Sequence, residues 1–108
     1  MIIYVDIDNT ICVTHGTDYA NAIPNNDNIK KVNELSKNHT IVMWTARGSL
    51  SNNNYFKLTF DQLQTWGVKF NELRMGKPAF DLFIDDKVLN SIHHWDEINV
   101  NRFVNKNI

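Results

Sequence analysis

A single α/β domain built on a mostly parallel sheet is the fold that the sequence predicts, on three observations. Short apolar runs at 2–5 (IIYV), 40–44 (TIVMW) and 81–84 (DLFI) have the continuous, β-branched or aromatic character of strands buried on both faces. Segments with helical spacing of apolar residues lie between them. The 108 residues, 43% hydrophobic and 11% aromatic, supply one core and not two, so one domain spans 1–108.

The elements follow in order. After the first run, NDNIKKVNELSKN places Ile29, Val32 and Leu35 at helical intervals behind Asn and Asp residues suited to capping. After the second, SNNNYFKLTFDQLQTWG aligns Phe56, Phe60, Leu63 and Trp66 on one stripe, with Ser and Asn before it and Gly67 as a stop. A short strand is expected at VKF, 68–70, and a last helix at VLNSIHHW, 88–95. Strands alternating with helices form βαβ units, whose crossovers are right-handed. Repeats, low-complexity tracts and linkers are absent from the sequence, and Asn-rich 51–54 reads as a loop leading into a helix.

The bulk numbers narrow the function. Eleven Lys plus Arg against twelve Asp plus Glu leave a formal charge of −1, which argues against a nucleic-acid-coating surface or a membrane-surface helix. Cys12 is the only cysteine, so no internal disulfide forms, and a reducing, cytoplasmic setting is expected. No apolar run approaches the roughly 20 residues of a membrane span, and no charged and apolar leader opens the sequence. A soluble, unexported protein is the expectation.

In open α/β sheets, ligands bind beyond the carboxyl ends of the strands. That rule selects Asp6 and Asp8 after the first run, Thr45, Ala46 and Arg47 after the second, and Asp85 and Asp86 after the third. Four carboxylates in one crevice repel one another unless a cation neutralises them. Oxygen ligands without His or further Cys favour a hard ion, and Mg²⁺ takes one or two carboxylates, waters and a substrate phosphate. Each acid alone could be a turn or a cap; their distribution over separate strand ends weakens that reading. Lys77, in MGKPAF, adds a cation before the third run.

This set resembles the haloacid dehalogenase superfamily of phosphohydrolases. The Asp-x-Asp-x-Thr pattern of that superfamily matches Asp6, Asp8 and Thr10; its strand-terminal Ser or Thr matches Thr45, its Lys matches Lys77, and its closing acid pair matches Asp85 and Asp86. The resemblance implies a three-layer α/β/α, Rossmann-like domain. It also implies a Mg²⁺-dependent phosphatase in which Asp6 is the nucleophile and Asp8 the general acid and base. Thr45 would bind a phosphoryl oxygen and Lys77 would balance charge. The metal would be held by Asp6, the carbonyl of Asp8 and one of the acid pair, Asp86 before Asp85. The segments from Asp8 to Thr45 and from Thr45 to Lys77 are filled by a crossover helix and loops, so no cap domain fits. Only residues 12–25, resembling the family's squiggle and flap, would screen the site.

An open site suits a bulky substrate, or a small one covered by a neighbouring subunit of a homo-oligomer. Arg47 is placed to grip a substrate carboxylate or second phosphate, the alternative being a surface salt bridge. His15 and Tyr19 in the flap could meet the leaving group or simply pack, and Arg74 could extend the positive pocket. His93 and His94, adjacent on an expected helix, read as structural, and Trp44, Trp66 and Trp95 as core or interface. Short capless chains of this kind resemble capsule or surface-polysaccharide biosynthesis phosphatases, which makes a sugar phosphate the expected small phosphorylated substrate. The alternatives are a nucleic-acid 3′-phosphatase, a receiver-like module that accepts phosphate without turnover, and an idle binding domain.

Overall fold

The computed structural model describes residues 1–89 and Val100. The first apolar run is β1 (Ile2–Val5). A small antiparallel hairpin follows, β2 (Cys12–Val13) with β3 (Ile23–Pro24), with Cys12 opposite Pro24 and Val13 opposite Ile23. Then come α1 (Asn26–Ser36), β4 (Thr40–Trp44), α2 (Phe56–Thr65) and β5 (Glu72–Arg74). The sheet has the order β1-β4-β5. Both pairings are parallel, Ile2 opposite Thr40 on one side and Val42 opposite Glu72 on the other. These residues form a small α/β domain with a parallel three-stranded main sheet and two helices.

Local chemistry sets the element ends. The Asn25 side chain accepts from the Asn28 amide at 3.1 Å, capping α1, and Asp27 in its first turn favours the helix dipole. α2 stops at Gly67 (φ +73°), where the amides of Gly67 and Val68 bond back to the carbonyls of Gln64 and Leu63. Both helices feed one core, in which Ile29, Val32, Leu35 and Leu63 pack with Val5, Ile7, Ile11, Ile41 and Met43, and Val100 joins it. On the other face of the sheet, Tyr4 meets Trp44 edge to face at 5.5 Å and remains exposed. Among the described residues, no helix is long and apolar enough to cross a membrane.

Four expectations are corrected or fall outside the description. The strand expected at 68–70 begins instead at Glu72. The amide of Lys69 is taken by the Asn33 side chain at 2.7 Å, and Asn71 exchanges hydrogen bonds with Ile41, so ladder pairing starts only afterwards. The stripe on α2 is also different. Thr59 and Leu63 are buried, whereas Phe56 and Phe60 are exposed and stack on each other at 6.0 Å. The polar requirements of Arg47, described below, draw Thr59 inward.

DLFI forms no strand, and Leu82 and Ile84 are 75% and 88% exposed. Its tether is the physical reason. The Lys77 amide donates to the Thr45 carbonyl at 3.0 Å, and the Ser49 hydroxyl donates to the Lys77 carbonyl at 2.7 Å, so the chain just before the run is pinned at the site end of the sheet. Phe80 and Phe83 turn to each other instead, 5.2 Å between ring centres. The helix expected at 88–95 does not include Val88 or Leu89; the rest of it, with His93, His94 and Trp95, lies outside the described residues.

Candidate active site

Parallel strands deliver their C-terminal ends to one edge of the sheet, and the sequence places polar residues just past each end. Asp6 directly follows β1. The next residues turn tightly, with the amides of Thr10 and Ile11 both bonding to the Ile7 carbonyl and Asn9 at φ +59°. This turn directs the Asp8 carboxylate back toward the strand ends. The buried side chain of Asn28 on α1 donates to the Thr10 carbonyl at 2.9 Å and braces it. Thr45 and Arg47 follow β4, and Lys77 lies in the loop after β5.

Asp8 is held by a dense set of donors. The Arg47 guanidinium approaches it with Nη2 at 2.9 Å and Nε at 3.0 Å, one donor to each carboxylate oxygen. The Thr14 hydroxyl donates to the same Oδ1 at 2.6 Å, and the Cys12 thiol lies 3.8 Å from it. Arg47 has no exposed side-chain surface. Its remaining donor Nη1 bonds Thr59 Oγ1 at 3.1 Å and Gln62 Oε1 at 2.6 Å, and its face lies 4.8 Å from the Tyr19 ring centre. Gln62 then donates to the Tyr19 carbonyl at 2.6 Å, tying the flap to α2. A charge paired with a carboxylate and hydrogen-bonded through all three of its nitrogens is the form in which a buried guanidinium is tolerated. Arg47 is therefore neither a surface salt bridge nor open to a substrate: its fork is spent on Asp8.

Asp6 has a different environment. Its carboxylate is half-buried and lies 3.8 Å from Lys77 Nζ. Burial pushes its pKa up, opposed chiefly by the Lys77 charge and by a hydrogen bond from the Ile7 backbone, with Asp8 adding to the rise. Lys77 also lies over the rings of Phe80 and Trp44, at 5.4 and 5.7 Å. Thr45 is buried, its Oγ1 accepts from the Arg47 amide at 3.1 Å, and its O–H remains to donate. A carboxylate and an ammonium thus face each other at 3.8 Å, with Thr45 at the neighbouring strand end, hydrogen-bonded through its carbonyl to the Lys77 amide.

Next to this group an open cleft of about 430 Å³ is lined by Ser49, Asn52, Asn53, Tyr55, Met75 and Pro78, among others. Gly48 shapes it with φ +82°, and a Cβ there would collide with the Asn53 carbonyl oxygen. Gly48→Ala is expected to destabilise the protein by at least about 1 kcal/mol and to distort the cleft, as a lowered urea midpoint would show.

The other candidates lie outside the group. His15 is exposed in the turn before the short 3₁₀ segment of the flap. Arg74 pairs with Glu72 at 2.7 Å and bonds the Tyr4 hydroxyl at 2.6 Å, on the face away from the helices. Asp85 and Asp86 are exposed; Asp85 accepts from the Lys87 amide at 2.9 Å, which with Asp86 draws its pKa down. Among the described residues no group of three or more His, Cys, Asp or Glu side chains is placed to hold a metal ion. Asp6 and the Asp8 carbonyl supply oxygen donors of the type a hard cation takes, so the residues fit Mg²⁺ with water completing its shell.

No family model matches this chain, and no curated protein does. A solved structure is similar to it, the crystal structure of an MCSG target from Vibrio cholerae. Its TM-score is 0.83, with 22% identity over 99% of this chain and 98% of that one. That likeness shows the fold.

Sequence reasoning overlooked Thr14, Thr59 and Gln62, which complete the clamp. A signal was present for two of them: Thr59 and Gln62 stand three apart on α2, so they share a face.

Proposed function

We propose that this protein is a Mg²⁺-dependent phosphomonoester hydrolase of the haloacid dehalogenase type, working in the cytoplasm on a small phosphorylated metabolite through a phosphoaspartate. A three-layer, Rossmann-like completion of the fold and a sugar phosphate of surface-polysaccharide synthesis as substrate belong to the same reading. The observation that supports it best is the pairing of unlike carboxylates. Among the described residues Asp6 faces Lys77 and takes a hydrogen bond from the Ile7 backbone but none from a side chain, while Asp8 is immobilised by Arg47 and Thr14.

Each residue then has a task. Asp6 attacks phosphorus, and the bond from phosphorus to the ester oxygen breaks. Asp8, which takes up a proton as the anionic phosphate docks, gives that proton to the leaving alcohol, then takes one from the water that attacks the aspartyl phosphate, and inorganic phosphate departs. Thr45 donates to a phosphoryl oxygen, and Lys77 offsets the charge of Asp6 and phosphate. Bound by Asp6 and the Asp8 carbonyl, Mg²⁺ would neutralise charge on the transferring group.

Repeated turnover of para-nitrophenyl phosphate, present with Mg²⁺ and lost with chelator, is the expected result. A single stoichiometric phosphorylation would replace the hydrolase by a receiver-like module. Steeply salt-dependent binding to oligonucleotides would favour a nucleic-acid 3′-phosphatase. Asp8→Asn should slow alkyl phosphates by about 10²-fold or more, and aryl phosphates less, because a phenolate leaves without a proton. Equal slowing of both would remove Asp8 from the acid role.

A further inference from the structure

We infer that two copies of this chain exchange the segment 81–86, so that each active site is completed by Asp85 and Asp86 of the partner subunit. This rests on the phosphatase reading only for the purpose of those acids. The exchange itself follows from three features of the fold.

First, β1 is an edge. Among the described residues it pairs only with β4, and Ile2 is 70% exposed. Open edges with apolar side chains invite another strand. Second, an apolar run of matching length lies unused. Phe80, Leu82, Phe83 and Ile84 are all exposed, although two similar runs of this chain became neighbouring strands. Third, the acids that close this run do not join Asp6 and Asp8: among the described residues no group of three or more carboxylate, His or Cys side chains is placed to hold a metal ion.

The tether decides which copy can supply the missing strand. To bring Asp85 level with Asp6, the run must pair in parallel with β1, with Asp81 level with Ile2 at the far end. Lys77 is bonded to Thr45, two residues beyond Met43, which is opposite Val5. The drop from there to Ile2 is about 16 Å at about 3.3 Å per residue. The four residues from Lys77 to Asp81 span at most about 14 Å when fully extended. The sideways step from β4 past β1, about 10 Å for two strand spacings, widens the gap. The chain's own run falls short, whereas a run arriving from another molecule has no such tether. A twofold exchange satisfies both edges at once, and such swaps need no new surface.

Two experiments test this. Asp6→Asn and Asp86→Asn chains, each inactive alone, are unfolded together and refolded as a mixture. Exchange restores one intact site in each mixed dimer, giving about a quarter of the parental turnover of para-nitrophenyl phosphate after random pairing. No recovery, where the parent chain itself turns over, overturns the proposal. The second readout is independent of activity. With Tyr4→Cys and Phe83→Cys in one chain, oxidation should yield a covalent dimer on a non-reducing gel, and the single variants should not. A link within one chain, or a monomer by light scattering at all concentrations, overturns the exchange. Ile84→Glu should convert the dimer to a folded monomer, since that side chain is 88% exposed in the single chain. A cross-linked dimer without turnover would reject the phosphatase reading and leave the exchange standing; turnover by a monomer would do the reverse.

Discussion

Asp6→Asn should lower turnover at least about 10³-fold while leaving the fold in place. The amide keeps the shape of the side chain and deletes the nucleophilic charge. Its effect on stability is the sum of two opposed changes. Replacing a carboxylate whose pKa burial has pushed up removes a desolvation cost; losing the contact with Lys77 at 3.8 Å removes an attraction. The variant should therefore lie within about 1 kcal/mol of the parent in urea denaturation with chelator present. Para-nitrophenyl phosphate turnover and the denaturation midpoint are measured on one preparation. Activity near the parental level would force another residue into the attacking role. Collapse of the fold would show that Asp6 is structural.

The contrast between Asp6 and its neighbour two residues away also shows what a sequence can convey. Strand ends were legible, because IIYV and TIVMW are continuous apolar runs and each is followed at once by polar residues. That places Asp6, Asp8, Thr45 and Arg47 at one edge of the sheet from the sequence alone. Partners were not legible. Arg47 two residues past Thr45 looked able to reach a ligand, yet its guanidinium is turned inward by Thr59 and Gln62 on α2. Nothing in one sequence fixes which way a long side chain folds back. DLFI failed for another reason. Its composition is that of a strand, but pairing depends on where the preceding residues are held, and the hydrogen bond from Lys77 to Thr45 is a tertiary contact. Composition reports a preference for burial, and the tether length decides against what.

Arg47 is where this distinction has its largest consequence. Arg47→Met should destabilise the protein by about 3–5 kcal/mol, the range for breaking a buried ion pair from one side. With no exposed surface on Arg47 and only 22% on Asp8, little water is available to replace the lost contacts. A domain of this size has a total stability of about 5–15 kcal/mol, so the loss would be plain in a urea titration. Arg47→Lys separates stability from catalysis. It retains the charge, but one ammonium cannot reach both Asp8 oxygens together with Thr59 and Gln62. Asp8 then swings within a wider arc, and kcat should fall about 10- to 100-fold with little change in KM. A residue that gripped substrate would give the opposite split, a raised KM at nearly constant kcat. Steady-state kinetics of Arg47→Lys on an alkyl and an aryl phosphate therefore tests the clamp directly. The alkyl substrate should suffer more, because only its leaving group needs the proton that Asp8 must aim.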